Sequence, residues 1–121
     1  MILDGHIHIQ AGEPAPDDLA KRMAAVGVDG GLLISEHPAS FEGALAATSP
    51  EARLDHLFAW ASAGPNCYPV YWIDPTESDA LAQVDLALSK GVAGFKVICD
   101  HFYPGDVRAL MTYRAIAEAG K

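Results

Sequence analysis

The feature that most constrains this chain is a joint that keeps returning: an amphipathic stretch ends in glycine, and a short apolar run follows it. The stretches close on AAVG at Gly27, ASAG at Gly64, LSKG at Gly91 and AEAG at Gly120. Glycine is the usual left-handed helix stop, because it lacks the Cβ that penalises positive φ. After the first three stops come GLLIS at 31–35, YPVYWI at 68–73 and GFKVIC at 94–99. With the opening run at 2–9, the pattern predicts four strands, each followed by a helix. GVDGGLLIS returning as GVAGFKVIC is a faint internal repeat of the same joint.

The helix starts agree. Ser49-Pro50-Glu51 offers a capping serine, proline at the first helical position and an acid in the first turn. Thr76 with Asp79 resembles a capping pair. Apolar residues recur at helical spacing in Leu19, Met23 and Val26; in Leu54, Leu57 and Phe58; in Leu81, Val84 and Leu88; and in Val107, Leu110, Met111 and Ile116. Strands two and four are nearly continuous apolar runs, as expected of a parallel sheet buried on both faces. The class is therefore α/β, built from repeated βα units, with no linker or low-complexity tract dividing residues 1–121.

Such repeats build either an open doubly wound sheet or a (β/α)8 barrel. A barrel takes roughly 250 residues, so four units in 121 residues amount to about half of one. The sequence stops at AIAEAGK, where a fifth strand would be expected, so it reads as truncated within a larger fold.

Composition narrows the partners. A net charge of −8 argues against non-specific nucleic-acid or anionic-membrane binding, which need a basic field. Cys67 and Cys99 are too few for a disulfide framework, the first residues lack a signal-peptide pattern, and no apolar run is long enough to cross a bilayer. A cytoplasmic protein acting on a small molecule is expected.

The chemistry begins at DGHIHIQ, residues 4–10. Side chains alternate along a strand, so His6 and His8 share a face, with Asp4 beside them, while Leu3, Ile7 and Ile9 take the other. Two imidazoles roughly 6.6 Å apart along a strand can tilt onto one ion, and imidazole is the commonest nitrogen ligand of zinc. The pair is expected to bind a divalent metal, zinc first; otherwise both are polar residues at an exposed strand end.

ILDGHIHI resembles the first-strand signature of the amidohydrolase superfamily of metal-dependent hydrolases, and GVAGFKVICDHFYPGD resembles its fourth-strand segment. The closest likeness is to the amidohydrolase-related branch, which includes small decarboxylases and lactone hydrolases. The resemblance follows the order of the units along the whole chain, although only the His-x-His stretch is specific. It implies a distorted (β/α)8 barrel of which this chain is the N-terminal half, with the site at the carboxyl ends of the strands. It also implies that His6 and His8 bind the metal. Further ligands in that family come from fifth-, sixth- and eighth-strand residues, and no residue of this chain takes those roles. The eighth-strand aspartate is among them, so the catalytic residue is left unknown.

Some members of that family carry a fourth-strand lysine, carboxylated on its amine, that bridges two metals; Lys96 has that place. A lysine inside an apolar run otherwise needs a partner, and Asp74, Asp100 or an acidic substrate group would serve. His37, Trp72, Asp74 and His101 lie at strand ends and are candidate substrate-binding residues, the histidines being equally suited to capping backbone. Cys99 with His101 imitates a ligand pair, but a buried free cysteine is the commoner arrangement. His56 falls inside a helix and is expected at a surface or interface. Three functions compete: a metal-dependent hydrolase or decarboxylase of amidohydrolase type, a His-x-His phosphoesterase, and a non-catalytic half-barrel that binds or scaffolds by dimerising as a homo-oligomer. The phosphoesterase reading is weakened because residues 10–35 hold no further histidine.

Overall fold

A computed structural model describes residues 1–10, 15–41, 48–62 and 64–121. The elements alternate throughout: β1 (Leu3–His8), α1 (Pro16–Ala25), β2 (Gly30–Ile34), α2 (Pro50–Ala61), β3 (Cys67–Trp72), α3 (Ala80–Lys90), β4 (Gly94–Lys96) and α4 (Val107–Glu118). The strands form one parallel sheet in the order β1-β2-β3-β4, so each strand pairs with the next in sequence. Parallel pairing requires a crossover, and the helix of each unit supplies it.

Local chemistry starts and stops these elements much as the sequence implies. Ser49 accepts a hydrogen bond from the Ala52 N–H and Pro50 opens α2. Gly27, Gly91 and Gly120 adopt φ of 75°, 87° and 73° after their helices, but Gly64 is not left-handed, and Asn66, at φ 63°, takes that conformation before β3. Gly31 serves a different end, because an added Cβ would lie 2.4 Å from the Asp4 carbonyl oxygen; glycine there lets β2 approach β1. The Thr76–Asp79 pair does not form. Thr76 bonds to Asp74 through its N–H and hydroxyl, and Asp79 instead accepts from Gln83, because the Asp74 side chain reaches the turn first. Strand four is shorter than the apolar run predicts. It ends at Lys96 because β3 ends opposite it at Trp72, leaving residues 97–99 without a ladder partner.

The two faces of the sheet differ. On one, Ile9, Leu33, Tyr71 and Ile73 are buried against Leu54, Leu57, Trp60, Val84 and Ala87, with Leu19 of α1 and Ala115 and Ile116 of α4 packed at the margin. All four helices contribute there. On the other face, Ile34, Val70 and Trp72 cluster with Phe41 and Ile98, and among the described residues no helix joins them. Leu32 and Tyr68 on that face are each 39% exposed, so burial on both faces is only partial.

Several expected core positions turn outward. Val26, Leu81, Val107, Leu110 and Met111 are exposed. In α4 the inner face is instead made by Ala109 and Thr112, both buried, with Thr112 donating its hydroxyl to the Pro75 carbonyl. Small residues allow close helix approach, and the larger side chains are left on the far side. Val26 faces out because it caps α1 and no longer follows the helical repeat. Cys99, expected to be buried, is exposed because it falls in the loop beyond the ladder. Among the described residues no helix is long and apolar enough to cross a membrane.

Candidate functional site

β1 and β4 are the two edge strands of the described sheet, and side chains from both meet at their carboxyl ends on the face opposite the four described helices. Strand alternation places His6 and His8 together, and their Nε2 atoms lie 2.9 Å apart. Lys96 reaches across from β4, its Nζ 2.7 Å from His8 Nε2 and 3.3 Å from His6 Nε2. Three nitrogens thus converge from residues separated by about ninety positions of sequence. Asp4 does not join them. It accepts the His6 backbone N–H, while the β1–β2 register shifts between Asp4 and Ile7.

Trp72 is the wall of this cluster. The Lys96 ammonium lies 4.5 Å from the centre of its ring, and the His8 ring meets its edge at 5.2 Å. Phe41 packs on Trp72 at 4.8 Å, and His37 stacks on Phe41 at 5.9 Å with its Nδ1 3.1 Å from the Pro38 carbonyl. His37 therefore stands at the outer end of an aromatic row. Phe41 was not singled out by sequence reasoning; it lies on a loop, where no periodicity flags an inward-facing side chain.

The electrostatics follow from partial burial with no counter-ion among the described residues. Burial, then the Lys96 charge, then His6 push the His8 imidazolium below its ordinary range, favouring the neutral ring. Burial likewise lowers Lys96. Neither Asp74 nor Asp100 pairs with Lys96, and among the described residues no carboxylate lies within ion-pair distance of it. A neutral imidazole is the ligating form. Nitrogen ligands about 2.0–2.1 Å from a tetrahedral zinc lie about 3.3 Å from one another. The His6–His8 spacing needs only a small ring movement to match that. Two histidines are still short of a full set, since catalytic zinc takes three protein ligands. No group of three or more histidine, cysteine, aspartate or glutamate side chains suited to a metal occurs among the described residues.

Asp74 and His101, the other strand-end candidates, meet each other instead of the histidine pair. His101 Nε2 lies 2.9 Å from Asp74 Oδ2, and its Nδ1 lies 2.5 Å from Asp100 Oδ1. Burial pushes the Asp74 carboxyl up, but the hydrogen bonds it accepts, including those from Thr76 and His101, outweigh burial and leave it below its usual range. Cys99 is no partner of His101; its Sγ lies 4.0 Å from the Tyr113 hydroxyl.

Behind Trp72, the helix-covered side holds a buried cation that sequence reasoning missed. Arg53 is 2% exposed, donates to the carbonyls of Glu36 and Trp72, and lies 4.6 Å from the Tyr71 ring centre. It ties together the ends of β2 and β3. Its place at a buried position of α2, beside Leu54 and Leu57, was the available signal. His56 is only partly buried, receives the Trp60 indole N–H, and lies 2.9 Å from Glu36, out of line for a full hydrogen bond.

Comparison of the chain with protein-family models, curated proteins and solved structures returns no match.

Proposed function

We propose that the chain is the N-terminal half of a (β/α)8 barrel of amidohydrolase type, and that His6 and His8 are two ligands of its divalent metal, zinc first. The observation that carries this reading is the convergence of the two Nε2 atoms, 2.9 Å apart, at the carboxyl ends of strands, where barrels of this kind build their sites. Three features of the fold support it. The strands run parallel in sequential order, all four helices pack on one face, and both outer strands have an unpaired edge. A doubly wound sheet would place helices on both faces.

Bound at this position, a divalent ion would supply a Lewis acid and an activated water for an ester, amide or lactone, or would orient a carboxylated substrate for decarboxylation. His6 and His8 would hold the ion. Lys96, level with them on β4, would bridge to a second ion as a carbamate or contact an acidic substrate group. Trp72, Phe41 and His37 would exclude water from one side. In that family the remaining ligands come from later strands, so this pair is only part of the set.

Metal analysis tests the reading directly. With only two of the ligands present, the purified chain is expected to bind zinc weakly in equilibrium dialysis, and His6→Ala with His8→Ala together should abolish that binding while the fold, read by circular dichroism, persists. Equal metal in the two proteins would sink the proposal.

A second reading has one observation in its favour. Val107, Leu110 and Met111 form an exposed apolar ridge on α4, the helix that follows the edge strand β4. A half-barrel that dimerises, with or without catalysis, would cover that ridge and satisfy the sheet edge.

A further inference from the structure

The loops after β3 and β4, residues 73–79 and 97–106, share apolar packing at their starts through Ile73 and Val97, and farther along they are joined by one polar side chain. His101 from the second loop reaches Asp74 in the first through Nε2 at 2.9 Å, and its Nδ1 is held by Asp100 at 2.5 Å. An ionised carboxylate only accepts, so both ring nitrogens must donate, and only the imidazolium carries two N–H groups. The geometry itself therefore specifies a charge state. We propose that His101 is a proton-dependent clasp, holding the 97–106 loop against the 73–79 loop while doubly protonated and loosening when it loses a proton.

The two carboxylates are not equivalent. Asp74 is 4% exposed and is pinned by the N–H and hydroxyl of Thr76, so it cannot turn away. Asp100 is exposed on its own loop and is free to move. In the neutral ring one nitrogen presents a lone pair, and a carboxylate facing it is repelled. The contact to Asp100 opens first, and the bond to Asp74 loses its charge assistance. His101 and the two carboxylates line, with Trp72, Phe41 and Ile98, a void of about 10 Å³, next to the row that walls the histidine pair.

The charged and titratable surroundings favour the closed form. Asp74 faces His101 from the 73–79 loop, and Asp100 lies in its own loop next to Cys99. From the α4 side come Asp106 and Arg108, which pair with each other, and Tyr113, which contacts Cys99. His37 stands farther off, beyond Phe41 and Trp72. The hydrogen bond to Asp100 raises His101 above its ordinary 6.5; burial opposes it, and the hydrogen bond to Asp74 and the two carboxylate charges add to the rise.

The sign of the pH effect follows. The clasp is complete below pH 6.5 and is lost as pH rises through the raised value in the folded protein. The test is an NMR titration of His101 in the whole chain, alongside amide exchange of residues 97–106 from pH 6 to 9. His101→Gln serves to remove the intrinsic pH dependence of exchange. Protection of the loop should fall by up to about tenfold for each unit that the midpoint lies above 6.5. Asp100→Asn should lower the midpoint more than Asp74→Asn does. A midpoint at or below 6.5, or an equal fall in protection in His101→Gln, overturns the clasp.

Discussion

The two faces of the sheet are written by the same alternation yet behave as different materials. On the helix side every strand contributes apolar residues, four helices seal them, and Leu33, Leu57, Tyr71 and Ile73 are fully buried. On the opposite face the same strands present His6, His8, Lys96 and Trp72, with Leu32 and Tyr68 left partly in solvent. Apolar packing is concentrated on one side and the histidine–lysine cluster on the other. A histidine pair and a lysine could not converge inside the sealed core without partners, because an unpaired buried charge costs several kcal/mol.

That contrast can be broken by substitution. Leu57→Ala empties a fully buried position on the sealed face and should cost about 2–5 kcal/mol, read from urea unfolding. A loss below about 1 kcal/mol would mean that this face is not the stabilising one. Arg53→Met sharpens the comparison, since Arg53 bridges the faces by holding the backbone behind Trp72. Leaving the Glu36 and Trp72 carbonyls unpaired should cost about 1–3 kcal/mol and shift the Trp72 fluorescence. The smallest effect is expected on the outer ridge of α4. Met111→Glu, at a position 57% exposed, should change the stability of a monomer by less than about 0.5 kcal/mol. If a second copy covers that ridge, sedimentation will instead show a dimer that the glutamate dissociates.

Much of the fold was legible because its causes are local. Helical spacing, Ser49 before Pro50, and the glycine stops are properties of a few neighbouring residues, and the elements fall close to where those signals put them. The errors mark where neighbours in space take over. Val107, Leu110 and Met111 have the spacing of a buried stripe, yet α4 packs through Ala109 and Thr112, because periodicity identifies a face without saying which neighbour it meets. Strand four stops early for a similar reason: a ladder needs a partner, and β3 has ended.

The candidate site divides in the same way. The sequence by itself determined that His6 and His8 share one face of the first strand, since a period of two admits no other result in an extended chain. It also determined that four βα units follow one another. Only the tertiary structure decided that Lys96 joins the histidines instead of Asp74 or Asp100, that Phe41 lines the wall, that Arg53 lies behind it, and that His101 is claimed by two carboxylates. Those meetings depend on the order and curvature of the strands and on the loops between them. Apart from His101 with its neighbour Asp100, these contacts join residues 17 or more positions apart, a distance over which no spacing rule in the sequence reaches.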